Sequence, residues 1–154
     1  MEKTIVHKRM RLPAFDYSSK GAYFVTICTK DRRRILSRLL AEQISPSADP
    51  VLTGIGKIVD SSIASVPTHY PGVFVDYYVI MPNHVHLLLR FTEENSPKLG
   101  RIIQQLKGFV KKHCGQTIWQ DKYYDHVIRD ENDYLIKAQY IENNPAKWIE
   151  DEYY

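Results

Sequence analysis

Hydrophobic positions along this chain alternate between two periods, and each change of period marks an element. Residues 22–29 (Ala-Tyr-Phe-Val-Thr-Ile-Cys-Thr) are β-branched and aromatic and predict a first strand. The polar turn Lys30-Asp31-Arg32-Arg33 leads to a short second strand at Ile35-Leu36, and residues 45–50 read as a loop. Leu52, Ile55, Ile58, Val59, Ile63 and Val66 then recur at three-to-four spacing, a helix stopped by Pro67 with Gly54 and Gly56 in its first turn. Two strands follow, 74–81 and 84–91, joined through Pro82-Asn83. The next helix has Ser96 as its cap, Pro97 at its first position and Gly115 at its end. Its apolar stripe is Leu99, Ile102, Ile103, Leu106 and Val110, and its opposite face carries Arg101, Gln105, Gly108 and Lys112. A short strand at 126–129 precedes a last helix, capped by Asp130 and stopped by Pro145. The order β, α, β, β, α, β predicts an α+β fold. It would be a ferredoxin-like split βαβ antiparallel sheet with helices on one face and an extra C-terminal helix. The 154 residues suit one domain, with 1–20 as a basic N-terminal arm.

Charge is unevenly placed. The formal net charge is +3, yet residues 1–34 hold nine Lys or Arg against Glu2, Asp16 and Asp31, so that segment is +6 and the rest is −3. Lys8, Arg9, Arg11, Arg32, Arg33 and Arg34, interleaved with Phe15, Tyr17, Tyr23 and Phe24, form a pattern suited to phosphate neutralisation and base stacking, or to a solvated terminus. A glycine among Arg101, Gln105 and Lys112 would let a polymer backbone approach that helix, or is simply an exposed glycine that costs the helix about 1 kcal/mol. Cys28 and Cys114 are too few for a disulfide framework and lie in no CxxC pair, which suits a reducing compartment. The basic N-terminus lacks the apolar stretch of a secretory signal, and no apolar run approaches the roughly 18 residues that would span a bilayer. The expectation is a cytoplasmic, nucleoid-associated protein with no membrane partner.

Candidate chemistry begins with Met81-Pro82-Asn83-His84-Val85-His86-Leu87-Leu88. On a strand, His84 and His86 project from one face, about 7 Å apart along the chain, and can converge on one divalent cation. A bare HxH pair serves core packing as readily, so the rest of the chain decides. On the last helix, Tyr134, Leu135, Ala138 and Ile141 form the expected packing stripe. Tyr140 falls about 150° from its centre, with Asn144 one turn later on the same side.

These segments carry a resemblance. The stretch 81–88, then Ile118-Trp119-Gln120 through Tyr123-Tyr124-Asp125-His126-Val127-Ile128-Arg129, then Tyr140-Ile141-Glu142-Asn143-Asn144-Pro145 resemble the signatures of the single-tyrosine HUH transposases, in particular their REP-associated branch. The resemblance runs from about residue 20 to 150. It implies a bacterial metal-dependent endonuclease and strand transferase that cleaves single-stranded DNA beside a hairpin through a covalent 5′-phosphotyrosine. It implies Mg²⁺ or Mn²⁺ held by His84 and His86, and Tyr140 as the nucleophile. The family's third ligand, often glutamine, is matched by Asn144, a shorter side chain with the same carbonyl oxygen. Family members act as monomers or as homodimers that exchange the tyrosine helix, and the sequence leaves both open. Forming phenolate at neutral pH costs about 4 kcal/mol, which a cation on the scissile phosphate can offset.

Two other readings compete. One is a catalytically silent, domesticated binder of single-stranded or hairpin DNA, against which the intact His84, His86 and Tyr140 weigh. The other is a small HxH metallohydrolase, which needs a further histidine or carboxylate at ligand spacing. Tyr123, Tyr124 and Tyr134 are expected in structural roles, Asp125 and His126 in packing or sheet-edge hydrogen bonds, and His7, His69 and His113 on the surface.

Overall fold

Strands form where β-branched and aromatic residues alternate, and the computed structural model describes residues 21–39, 50–93, 97–145 and Trp148. The elements are β1 (Ala22–Cys28), β2 (Ser37–Arg38), β3 (Val51–Leu52), α1 (Gly54–Ala64), α2 (Val66–His69), β4 (Val73–Ile80), β5 (His84–Phe91), α3 (Leu99–Cys114), β6 (Tyr124–Val127) and α4 (Glu131–Asn143). Four strands make one antiparallel sheet in the order β4-β5-β1-β6, the ferredoxin-like arrangement the element order implies.

Each face of the sheet buries its own core. Val25, Ile27, Val85, Leu87 and Leu89 pack under α1 and α3 with Ile63, Ile102, Ile103, Leu106 and Val110. Ala22, Tyr77, Val79 and Leu88 pack on the other side against Tyr134, Ala138 and Ile141 of α4. Because β5 alternates, His84 and His86 lie in phase with Leu88, on the α4 side. In β4 the register shifts between Val75 and Tyr77, so the bulged strand reverses which parity faces which core. Asp76, at the bulge, is fully buried.

Several sequence expectations shift. The second strand is Ser37–Arg38, paired with Val51–Leu52 in a separate ribbon, rather than Ile35-Leu36. Leu36 is held out of strand pairing because its N–H donates to Pro82 O (3.0 Å) and its carbonyl accepts from Thr53 N (3.0 Å). Leu52 therefore belongs to β3, and α1 starts at Gly54 with Thr53 as its cap, accepting from Gly56 N at 3.0 Å. Pro67 does not stop that helix but sits in the first turn of α2, where its missing N–H costs nothing. Helix α3 begins at Leu99, with Lys98 at the cap position, and ends as expected at Gly115 (φ 82°); Ser96 lies outside the described residues. The last strand is Tyr124–Val127, two residues earlier than expected, because it pairs with Tyr23–Thr26 of β1. Leu135 is 43% exposed, so the packing stripe of α4 is narrower than its apolar sequence suggests. Tyr124, expected to be structural, is exposed on the edge strand, whereas Tyr123 is half-buried and Tyr134 buried. The arm 1–20, the greater part of the loop 45–50 and the acidic end 150–154 lie outside the described residues.

Gly56 shows how tightly the ribbon meets α1. A Cβ there would lie 2.0 Å from Leu36 O and 3.1 Å from its carbonyl carbon, both backbone atoms. At Gly54 nothing lies within 4 Å. Gly56→Ala is therefore expected to lower unfolding free energy by about 1–3 kcal/mol through overpacking, while Gly54→Ala leaves it unchanged or raises it by up to about 1 kcal/mol. Urea denaturation of both variants checks the contrast.

Candidate catalytic and metal-binding site

His84 and His86 are both buried, and their Nε2 atoms face each other at 3.1 Å. The other nitrogen of each ring is held from behind. Asn83 Oδ1 accepts from His84 Nδ1 at 2.8 Å, which leaves the Nε2 lone pair as the ring's donor atom. His86 Nδ1 lies 2.8 Å from Thr26 Oγ1, its cross-strand partner in the β1–β5 register. Asn83 is itself fixed: its carbonyl accepts from Thr29 N and Oγ1 at 3.0 and 3.1 Å, and its Nδ2 reaches Arg32 O at 3.5 Å.

Aromatic rings enclose the pair. Phe24 stacks on His86 (5.2 Å between centroids) and Trp148 on His84 (6.0 Å). Lys137 Nζ lies 5.6 Å from the Phe24 centroid, and the Arg34 guanidinium 5.3 Å from that of Trp148. Each imidazole thus stacks on a ring that a cation also covers. Tyr140 joins the group from α4, its ring 5.3 Å from His86 and 5.8 Å from Phe24, while remaining 39% exposed.

Asn144, one turn beyond Tyr140, is only 3% exposed, and its Oδ1 has no hydrogen-bond partner among the described residues. A buried carbonyl oxygen left so is costly unless something else engages it. Among the described residues no group of three or more His, Cys, Asp or Glu is placed to hold a metal. A cation held here by described residues would therefore have to take two imidazoles, with the unpaired Asn144 carbonyl as the candidate third ligand. The 3.1 Å between the Nε2 atoms fits adjacent corners of an octahedron with bonds of about 2.1 Å, which lie about 3 Å apart. Residues and geometry fit a divalent cation.

Two interactions set the pose of α4. Tyr134 Oη donates to Asp76 Oδ2 at 2.5 Å, and Arg90 grips the same carboxylate through Nε and Nη2 at 2.8 and 3.2 Å. At the start of the helix, Asp130 accepts from Asp133 N, and Asp133 accepts from His126 Nε2 and Arg129 N at 2.8 and 3.0 Å. Burial pushes the Asp133 carboxyl up, but the His126 and Arg129 hydrogen bonds and charges outweigh it and leave it below its ordinary 3.8.

The other predicted residues divide. Arg32, Arg33 and Arg34 are exposed, and Arg34 reaches the site through Trp148. Arg101, Gln105 and Lys112 are exposed on α3, across the sheet from the histidines, and Gln105 accepts from Tyr70 Oη; the structure does not bring them to the site. Lys8, Arg9, Arg11 and His7 lie outside the described residues, and His69 and His113 are exposed. Thr26, Asn83, Trp148 and Lys137 were not legible as site residues. Their roles come from cross-strand register and helix docking, although Asn83 is adjacent to His84 in sequence.

Two predictions follow from these contacts. Asn83→Ala is expected to weaken Mn²⁺ binding about 10–100-fold, as loss of an outer hydrogen bond to a histidine ligand does, with calorimetric titration as the check. Because the Asp133 carboxyl is depressed on folding, the stability it contributes is full above its unfolded value and drains as pH falls through the lower folded one. Asp133→Asn is thus expected to cost about 1–3 kcal/mol at pH 7, with the gap to wild type closing below about pH 4 in thermal melts.

No protein-family model matches the chain. It is 31% identical over 176 aligned positions to an uncharacterized protein of Haemophilus influenzae, covering 97% of this chain and 94% of that one. It is 27% identical over 136 positions to a REP-associated tyrosine transposase of Escherichia coli K12, covering 86% and 72% of the two chains. A solved structure of a REP-associated tyrosine transposase bound to a REP hairpin superposes with a TM-score of 0.62 at 23% identity, over 84% of this chain and 68% of that one, and shows the same fold. The chain is a homologue of the REP-associated tyrosine transposases and shares their fold.

Proposed function

We propose that this protein cleaves and rejoins single-stranded DNA beside a hairpin in a reaction that depends on Mg²⁺ or Mn²⁺, with Tyr140 as its covalent nucleophile. The observation that carries the reading is the meeting of the His84–His86 nitrogen pair with the half-exposed Tyr140 ring. A core tyrosine has no reason to remain exposed beside two buried imidazoles. A nucleophile for a polymeric substrate has to.

His84, His86 and Asn144 would hold the cation, which supplies charge neutralisation and orientation of the scissile phosphate. Tyr140 Oη attacks phosphorus, the Oη–P bond forms and the P–O3′ bond breaks. The phenol proton is lost to solvent and the leaving 3′ oxygen takes one up, so no net proton or cofactor is consumed. The 5′ phosphate stays on Tyr140 as a diester whose bond energy resembles that of the bond it replaced. A 3′ hydroxyl then attacks the same phosphorus and frees the phenol, so rejoining needs no ATP. Lys137 and Arg34 add positive charge at the rim of the aromatic cluster. The hairpin-bound relative supports a hairpin substrate here.

Wild type incubated with labelled single-stranded oligonucleotides from the flanks of its gene, with Mn²⁺, is expected to give label that migrates with protein on a denaturing gel. Tyr140→Phe is expected to abolish that adduct, a loss of at least about 10³-fold, with hairpin affinity within about twofold of wild type. A Tyr140→Phe protein that still forms the adduct sinks the assignment.

A further inference from the structure

Beside the histidine site lies a second feature that strand cleavage does not use. A cavity of about 690 Å³ opens between the turn Lys30–Arg32 and the segment 117–121, with Lys30, Asp31, Arg32, Trp119, Gln120 and Asp121 in its wall. Its chemistry is mixed in a telling way. Lys30 and Arg32 disfavour a bare cation, and the carboxylates of Asp31 and Asp121 disfavour a bare anion. Gln120 donates through Nε2 to Thr29 O at 3.2 Å, so its Oε1 is the atom left to accept. Trp119 is 4% exposed, and its indole N–H is buried with no acceptor among the described residues. The wall thus suits a ligand that is anionic at one end and rich in N–H donors at the other.

We infer that this cavity seats one unpaired nucleotide of the substrate strand, its phosphate toward Lys30 and Arg32 and its base edge toward Asp31, Asp121 and Gln120. Bases with an exocyclic amine suit those acceptors, whereas thymine has none. The edge is available only in unpaired nucleotides, so the occupant comes from outside the hairpin stem. The cavity is also wired to the histidines. Arg32 O is the contact of Asn83 Nδ2 at 3.5 Å, and Asn83 Oδ1 holds His84 Nδ1 at 2.8 Å. Seating the nucleotide steadies the turn whose carbonyl orients Asn83, and through it His84.

The inference rests on the DNA reading above, so its test is made without chemistry. Fluorescence anisotropy in EDTA would compare a blunt hairpin with hairpins carrying four-nucleotide extensions, at either end, of adenine, cytosine or thymine. Wild type is expected to bind the amine-bearing extensions about tenfold more tightly than the blunt or thymine-extended hairpin. Asp31 has φ 58°, a conformation asparagine also tolerates, so Asp31→Asn keeps the turn. That variant is expected to reduce the adenine-to-thymine ratio to about twofold or less, and Lys30→Gln to weaken all extended hairpins together; both leave the blunt hairpin unchanged. Equal wild-type affinity for blunt and extended hairpins, or ratios untouched by both substitutions, overturns the nucleotide pocket even if tyrosyl adducts form. Failure of wild type to bind any hairpin overturns the pocket and the DNA reading together.

Discussion

Asp76 is the constraint on which the rest of the site depends. The β4 bulge places this carboxylate where no water reaches it, and Arg90 of β5 and Tyr134 of α4 satisfy it. Three donors on one buried charge make a joint among the strand that bulges, the strand that carries the histidines and the helix that carries Tyr140. Such a network is weak evidence for stability, since well-packed apolar groups often do as well. Its effect is registration: sliding or rotating α4 would leave a buried charge short of a partner, at about 3–5 kcal/mol. Ala138 and Ile141 then close the apolar contact, and the Asp130–Asp133–His126 cluster fixes the helix start.

One helix thereby meets opposed demands. As the proposed nucleophile Tyr140 would have to be open to a polymer, while the Asn144 carbonyl, as a proposed ligand, would have to be dry to interact strongly with a cation. Their exposures, 39% and 3%, differ accordingly within one turn. The narrow stripe Tyr134, Ala138 and Ile141 makes this compatible with docking, because a broader apolar face would have drawn Tyr140 into the core.

Much of this was legible in the sequence where it depends on local periodicity. The long strands, the histidines' shared face and the departure of Tyr140 from the packing stripe all follow from periods of 2 and 3.6. What stayed hidden depends on distant pairing. Ile35-Leu36 looks like a strand because it is apolar, yet Leu36 is apolar because its side chain is buried in the core, while its backbone carbonyl meets Gly56. Leu135 fits the stripe by angle but lies past the edge of the contact. Thr26 becomes a histidine partner only through a register set across 60 residues of chain. Arg101, Gln105 and Lys112 do share an exposed helix face, but sequence does not say on which side of the sheet that helix lands. The β5 alternation settles it, since Val85, Leu87 and Leu89 face α3 and the histidines do not.

If Arg101 and Lys112 contact DNA, their separation from the histidines would be consistent with how charge would be used at the centre. Phosphate contacts gather affinity and fix orientation over a long footprint, so they need not adjoin the chemistry. The side chains that the proposed reaction would use are another matter: among the described residues they are His84, His86, Asn144 and Tyr140, with Thr26 and Asn83 behind them, and include no carboxylate. Neutral donors leave the charge of a bound dication undiminished toward the phosphate, whereas each carboxylate ligand would cancel part of it. They also bind it less tightly than carboxylates would. In the proposed reaction, full affinity would come only when the DNA phosphate adds its own oxygen, which would tie assembly of the reactive centre to arrival of the strand.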